Sequence, residues 1–140
     1  MTDWHTHDVR VYFEDTDAQG VVYFANYLKF MERGRTEWLR ELGVEQDWLL
    51  GEHGLCFALT RTDAKFLLPA RFNDLLEIRT RIAHYGRVRI QLEQAVVRDG
   101  ELLCSASCAA ACIDAESFRP RRIPVDVAAQ LTEAAGLAAR

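Results

Sequence analysis

Two aspartates and a glycine lie close together in the segment Asp15-Thr16-Asp17-Ala18-Gln19-Gly20, just before a stretch with helical periodicity. A carboxylate can attack a carbonyl carbon or activate a water molecule. The unpaired N–H groups at the start of a helix stabilise negative charge, such as the oxyanion that forms when a carbonyl is attacked. No other segment combines an acid, an oxyanion site and a cleft, so the sequence predicts carbonyl chemistry here.

Two other interpretations apply to the same aspartates. Both could serve only in turn and capping hydrogen bonds, since aspartate is favoured in both settings. The opening of the segment also matches a calcium-binding EF-hand loop, but the twelfth position of such a loop requires a bidentate glutamate, where this chain has Asn26. An alternating strand precedes the segment, where an EF-hand has a helix. A structural role therefore stays open, while the sequence predicts no metal site and no cofactor.

A long amphipathic helix from about Ala25 to Leu42 follows these residues, because apolar side chains recur there at helical spacing. Gly43 is placed as its C-terminal stop. Gly34 falls on the apolar side, where a missing side chain would let the helix approach a sheet closely. Before the site, alternation predicts a strand from Val9 to Glu14 whose buried face carries Val9, Val11 and Phe13.

The remaining elements are mostly strands. They are predicted at about Phe57–Leu68, Leu76–His84, Val88–Arg98 and Leu102–Ile113, after a short helix at Glu45–His53 and before a terminal helix or frayed tail at Val125–Ala139. Asp99-Gly100 and Tyr85-Gly86 suit hairpin turns. This order predicts an α+β class and the hotdog architecture, in which one long central helix packs on a curved antiparallel sheet of about five strands. We expect residues 1–140 to form one such domain, and an unpaired sheet edge favours a dimer.

Composition and charge narrow the function classes further. A net charge of -4 argues against broad binding to nucleic acids or membrane surfaces. No apolar run approaches the roughly 20 residues that cross a bilayer, and the N-terminal residues lack a secretion pattern. We therefore expect a cytoplasmic protein without membrane insertion.

Cys104, Cys108 and Cys112 lie on a predicted strand, where four residues span about 13 Å. This distance is too long for one disulfide or one metal ion, so we expect buried, reduced cysteines.

A family resemblance covers nearly the whole chain. The run from Val11 to Leu42 carries Phe13-Glu14-Asp15-Thr16-Asp17-Ala18, Gly20-Val21-Val22-Tyr23, Asn26-Tyr27 and Met31-Glu32-Arg33. Further matching residues are Leu68-Pro69-Ala70-Arg71, Asp74 and Phe118-Arg119-Pro120-Arg121. With these motifs the chain resembles hotdog acyl-CoA thioesterases of the Tol-Pal-associated group, and it is similar to 4-hydroxybenzoyl-CoA thioesterases.

The resemblance implies hydrolysis of an acyl-CoA thioester to free acid and CoA. It places Asp17 at the catalytic position, as nucleophile or general base, and the backbone N–H of Phe24 at the oxyanion position. Many Tol-Pal-associated members carry His at the position of Phe24, and the hydroxybenzoyl enzymes carry Tyr. A phenyl ring cannot transfer a proton, so any step assigned to that His is absent here or is done otherwise. An aromatic residue also keeps aryl-CoA substrates open.

The resemblance further implies a homodimer or homotetramer with the site at the subunit interface. An acyl carrier protein is a second partner that we consider, and a non-catalytic protein that binds acyl-CoA or acyl carrier protein is the alternative from a different class. Four residues flank the expected site and are candidates for substrate binding: Gly20, Tyr23, Asn26 and Tyr27.

A local basic patch is the candidate for binding the CoA nucleotide, whose phosphates need cationic contacts. It comprises Arg79, Arg81, Arg87 and Arg89, with further arginines near residue 120. We expect Arg87 and Arg89 to contact the phosphates. Alternation places these arginines on the same strand faces as Glu77 and Glu93. We therefore expect some of the arginines to form ion pairs with these glutamates instead of binding phosphate.

Overall fold

The computed structural model of the chain describes residues 4–134. These residues form the strands β1 His5–Arg10, β2 Leu55–Phe66, β3 Leu75–Tyr85, β4 Arg89–Arg98 and β5 Glu101–Asp114. The helices are α1 Phe24–Glu41, α2 Gln46–His53 and α3 Val125–Ala134. One antiparallel sheet has the strand order β1-β3-β4-β5-β2. The α+β arrangement predicted from the sequence is confirmed.

Helix α1 lies across the sheet and buries its apolar side against it. Phe30, Met31 and Trp38 are among its buried residues. A Cβ atom added to Gly34 would come within 2.6 Å of Ile78 Cγ2, so the helix and β3 approach each other as closely as the sequence predicted. The missing side chain at Gly34 therefore sets how closely the middle of α1 lies to the sheet.

The first strand differs from its prediction. It ends at Arg10, and Phe13–Asp15 form a short 3₁₀ turn instead of continuing the strand. Pairing with the β3 side continues only as far as Val11, whose N–H bonds to the carbonyl of Asp74. At the next residue the N–H of Tyr12 donates to the side chain of Asp15, which belongs to the 3₁₀ turn. Phe13 is 73% exposed rather than buried. Its ring stacks on Phe72 with 3.8 Å between ring centroids.

The other elements follow the sequence prediction with small shifts at their ends. The turns at Asp99-Gly100 and Tyr85-Gly86 join neighbouring strands, as expected. The final helix runs from Val125 to Ala134, and the predicted continuation at 135–139 lies outside the described residues. Cys104, Cys108 and Cys112 are buried and form no disulfide, which confirms their expected role. No helix in residues 4–134 is long and apolar enough to span a membrane.

Candidate active site

A tight turn carries Asp17. Thr16 pairs with Val22, and the N–H of Asp17 donates to the carbonyl of Val21 at 2.9 Å. The N–H of Gly20 closes the turn by donating to the carbonyl of Asp17 at 3.0 Å. Gly20 has φ of +79°, a conformation that favours glycine. The glycine that sequence analysis placed in the site therefore shapes the turn from which Asp17 projects.

The carboxylate of Asp17 is partly exposed and only partly hydrogen-bonded. Its Oδ1 accepts the N–H of Gln19 at 2.9 Å, which is the local turn contact that aspartate commonly makes. Its Oδ2 accepts no hydrogen bond from any residue within 4–134. One oxygen of the carboxylate thus remains available for a carbonyl carbon or a water molecule.

Helix α1 begins at Phe24, close to this turn in the chain, and its N-terminus is uncapped. The preceding residue, Tyr23, makes no side-chain capping bond, and the first turn of the helix holds no acidic residue. Among the described residues, the N–H of Phe24 finds no acceptor. The positive end of the helix dipole and the unpaired N–H groups together favour a negative oxygen at this position.

An apolar cavity of about 240 Å³ opens beside the start of α1. The end of β2 and the loop after it form its second wall. Phe24 and Phe66 meet edge to face, with 5.8 Å between ring centroids. Its lining is Val22, Phe24, Tyr27, Phe66, Leu67, Leu68 and Pro69. Such a lining suits an acyl or aryl group, and it contains no charged side chain.

The two tyrosines predicted to flank the site differ in exposure. Tyr23 lies at the surface, and its ring is 4.8 Å from that of Phe24. Tyr27 is buried, lines the cavity with its ring, and accepts the N–H of Ala70 on its hydroxyl at 3.0 Å. Burial raises the pKa of Tyr27 above its ordinary value. Its hydroxyl therefore stays protonated and holds the loop that forms the cavity wall.

Asp15 has a different environment from Asp17. It is only 6% exposed, and both of its carboxylate oxygens accept hydrogen bonds. Oδ2 accepts the N–H of Tyr12 at 2.8 Å, and Oδ1 accepts the side-chain amide of Asn26 at 2.9 Å. The capping interpretation therefore holds for Asp15. Asn26 is a substrate-binding candidate from the sequence, but its side-chain amide donates to Asp15. The spacing of the two residues in the sequence does not predict this contact.

The arginines expected at the CoA nucleotide lie far from Asp17 within one chain. Near the site, Val22 and Tyr27 bond to Ala70, and Arg98 at the end of β4 bonds to the adjacent Pro69. Arg87 and Arg89 lie at the opposite end of β4, about 30 Å away along the strand. The single chain does not bring Arg87 and Arg89 together with Asp17.

Several arginines gather at this opposite end of the sheet. The carbonyl of Arg87 accepts the N–H of Ile123, and backbone bonds attach residues 119 and 121 to the end of β5. We call this group the arginine cluster: Arg87, Arg89, Arg119, Arg121 and Arg122. Within residues 4–134 its members form a single long ion pair, between Arg121 and Asp114 at 3.9 Å.

The other half of the basic patch is neutralised, as the sequence predicted. Arg79 pairs with Glu77 at 2.9 Å, and Arg81 pairs with Glu93 at 3.3 Å. These two arginines are therefore poor candidates for phosphate binding. A cavity of about 720 Å³ is lined by this paired region and by β5, and its lining includes none of the residues of the Asp17 turn. No group of His, Cys, Asp or Glu within the described part of the chain could hold a metal ion.

Comparison with known proteins places these features in context. Residues 11–131 match the family model of the thioesterase-like superfamily. The acyl-CoA thioesterase YbgC of Haemophilus influenzae is 40% identical over 86% of this chain and 89% of its own length. A 1,4-dihydroxy-2-naphthoyl-CoA hydrolase of Thermosynechococcus vestitus is 34% identical over 64% of this chain and 62% of its own length. The crystal structure of a probable thioesterase from Bartonella henselae is 38% identical, with a TM-score of 0.83, covering 87% of this chain and all of that one.

Proposed function

The chain belongs to the thioesterase-like superfamily and is an acyl-CoA thioester hydrolase, and from that premise we propose that its reaction takes place between the Asp17 turn and the N-terminus of α1. One observation carries the proposal. A carboxylate oxygen that accepts no hydrogen bond from residues 4–134, an uncapped helix N-terminus and an apolar cavity occur together at one end of the sheet. These are the parts that thioester hydrolysis requires: a base or nucleophile, an oxyanion site and a place for the acyl group.

In the proposed reaction the thioester carbonyl oxygen points at the N–H of Phe24. Asp17 either attacks the carbonyl carbon, or removes a proton from a water molecule that attacks it. Attack by Asp17 forms a mixed anhydride and expels CoA thiolate, and water then cleaves the anhydride. Attack by water forms a tetrahedral intermediate that expels CoA thiolate directly. In both routes the developing oxyanion is stabilised by the helix N-terminus, and the products are the free acid and CoA.

We propose that the arginine cluster binds the CoA nucleotide of a site completed by a second subunit. Strand β2 is an edge of the sheet, and antiparallel pairing of two β2 strands would place the far end of one subunit beside the Asp17 end of the other. The opposite positions of Asp17 and Arg89 on one chain support this arrangement, because a bound CoA would then contact both. A homodimer is the smallest assembly that satisfies it, and two such dimers would form a tetramer.

The aromatic lining of the cavity supports a second candidate, an aryl-CoA substrate. The ring of Phe66 contacts both Phe24 and Tyr27, with 5.8 Å and 5.7 Å between ring centroids. Aromatic pairs favour such edge and tilted arrangements. An aryl ring could add to this cluster. The relative from Thermosynechococcus, named for a naphthoyl-CoA substrate, supports the same choice.

Asp17→Asn tests the proposed function. The substitution removes the ionisable oxygen at nearly constant shape, so kcat should fall by roughly 10² to 10⁴, the usual contribution of general acid–base catalysis. Release of CoA from aliphatic and aryl thioesters, followed with a thiol reagent, measures it and also ranks the substrates. Glu14→Gln is the matched control, because Glu14 is an exposed carboxylate on the same loop. Near-normal kcat/KM in the Asp17 variant would refute the assignment.

Two finer expectations accompany the proposal. The first is that acyl carrier protein serves as a second partner by presenting an acyl thioester. Adding acylated carrier protein to the substrate panel checks this expectation. A cytoplasmic location is checked by cell fractionation, with recovery in the membrane or periplasmic fraction as the contradicting result.

A further inference from the structure

The Asp17 turn and the first turn of α1 are joined by one hydrogen bond between side chains. Asp15 precedes Asp17 by two residues, and Asn26 follows Phe24 by two residues. The bond between Asn26 Nδ2 and Asp15 Oδ1, 2.9 Å long, therefore links the segment with the proposed base to the segment with the proposed oxyanion donor. Among the described residues no other side-chain pair makes this link.

Asp15 is unusual in being a buried carboxylate with no cationic partner within residues 4–134. Such a charge is costly to bury unless hydrogen bonds compensate it. Its two oxygens accept from Tyr12 and Asn26, and its backbone carbonyl accepts the N–H of Tyr23 at 3.0 Å. A carboxylate that only shaped a turn would not need to be buried or to reach the helix, so these contacts favour a role in fixing the two segments relative to each other.

We propose that Asp15 and Asn26 are positioning residues, which set the separation between the Asp17 carboxylate and the N–H of Phe24. This inference rests on the proposed function and gives Asn26 a positioning role in place of the substrate-binding role expected from the sequence. Loss of the contact should lower kcat, because both groups act on the same carbonyl and a misplacement of about 1 Å can reduce the rate by about 10². Substrate affinity should change much less.

The contact between Asp15 and Asn26 can be tested by exchanging the two residues, because one is an acceptor and the other a donor. In Asn26→Asp two carboxylates face each other, and the contact is lost. In Asp15→Asn alone, the new amide can accept from Tyr12, and the amide of Asn26 can flip to accept from residue 15. In the double variant Asp15→Asn/Asn26→Asp, the amide at 15 accepts from Tyr12 and donates to the carboxylate at 26, so every bond is restored. The charge then lies in the first turn of α1, where the helix dipole stabilises it but where it also opposes a negative oxygen at the N–H of Phe24.

The expected kinetic result is a fall in kcat of about 10² for Asn26→Asp, little change for Asp15→Asn, and partial recovery in the double variant. Asn26→Asp and the double variant share the carboxylate at position 26, so the difference between them reports the restored contact. KM should stay close to the wild-type value throughout. Thr80→Val is the stability control: it removes a buried acceptor from Gln94 in the middle of the sheet, and it should lower Tm without lowering kcat. A variant Asn26→Asp that loses Tm but keeps kcat, or one whose KM rises while kcat holds, would overturn the proposal.

Crystal structures of the single and double variants give a test that does not depend on activity. The distance between the Asp17 carboxylate and the Phe24 nitrogen should change in Asn26→Asp and return in the double variant. An unchanged distance in Asn26→Asp would overturn the positioning role. If the wild-type protein hydrolysed no acyl-CoA thioester, the proposed function would fail, while these distances would still decide the positioning role.

Discussion

Tyr27 lines the cavity with its ring, and we expect its hydroxyl to contribute mainly to the stability of the fold. Its hydroxyl accepts the N–H of Ala70, and both residues are buried. Tyr27→Phe keeps the ring in the cavity but leaves that N–H without a partner, which should cost about 1–3 kcal/mol of the free energy of unfolding. Urea denaturation measures this loss, and kcat/KM should be largely retained.

Tyr23→Phe is the comparison, because Tyr23 is exposed and its hydroxyl makes no hydrogen bond within the described residues. Its free energy of unfolding should match that of the wild type. If Tyr27→Phe instead kept its stability and lost activity, Tyr27 would act directly on the substrate.

Cys104 connects burial to the pH dependence of stability. Burial raises the pKa of its thiol from 9.0 to about 11. In the unfolded chain the thiol ionises above about pH 9, so the unfolded state binds fewer protons than the folded state in this range. The free energy of unfolding should therefore fall between pH 9 and pH 11, with up to roughly 2–3 kcal/mol from this group. Cys104→Ala should make the decline shallower, as measured by urea denaturation at several pH values, and an unchanged slope would contradict this origin.

Gly34 determines how closely α1 approaches the sheet. A Cβ atom at this position would lie 2.6 Å from Ile78 Cγ2 and 3.3 Å from Thr80 Oγ1. Gly34→Ala should therefore destabilise the protein by about 1–3 kcal/mol, the usual cost of overpacking, despite the better helix propensity of alanine.

Gly51→Ala is the matched control for this effect. Gly51 also lies inside a helix, α2, but no atom of the described residues comes within 4 Å of an added Cβ atom. Here the helix propensity of alanine should dominate and stabilise the protein by about 0.5–1 kcal/mol. Thermal denaturation compares the two variants, and equal shifts in Tm would mean that packing against Ile78 is not the cause.

At the level of elements, the helices and hairpins that depend on apolar periodicity and turn residues were predictable from the sequence. The spacing of apolar residues predicted α1, and Asp99-Gly100 predicted the hairpin between β4 and β5. The predicted burial of Phe13 on a strand was wrong. The alternation from Val9 to Phe13 carries no information about the hydrogen bond from the N–H of Tyr12 to the side chain of Asp15. The Asp15–Asn26 contact was missed for a similar reason: residues 11 positions apart carry no periodic signal. The only sequence feature that could have predicted the cavity wall at Phe66–Leu68 is a short apolar run at the end of a strand, which is a weak indication of a cavity.

At the scale of the whole molecule, charge is distributed unevenly. The chain has a net charge of -4, yet the arginine cluster collects positive charge that is almost unpaired at the end opposite Asp17. A polyanionic substrate would be attracted to that end and away from the acidic remainder. The proposed catalytic groups and the proposed phosphate-binding groups of one chain therefore lie at opposite ends of the sheet, and β4 alone spans about 30 Å between those ends.

This separation leads to a prediction about subunits. Arg87→Ala/Arg89→Ala should raise KM for acyl-CoA roughly five- to fifty-fold with a smaller change in kcat, because phosphate contacts are common to ground and transition states. The increase should shrink at high salt, where screening weakens the wild-type contacts. It should vanish for a pantetheine thioester, which lacks the nucleotide phosphates. An equal increase on the short substrate would show that the arginines act through the fold instead.

Mixed oligomers then decide whether the arginines serve the partner's site. Subunits with Asp17→Asn carry intact arginines, and subunits with Arg87→Ala/Arg89→Ala carry an intact Asp17. If each site combines Asp17 of one subunit with the arginine cluster of the other, a mixed dimer contains one fully intact site, and co-expressed subunits with two different tags should show the wild-type KM. If Asp17 and the arginines acted within one chain, no mixed dimer would contain an intact site, and the raised KM would persist. The second result would also remove the main argument for antiparallel pairing of β2, because the opposite positions of Asp17 and Arg89 would then need no partner to connect them.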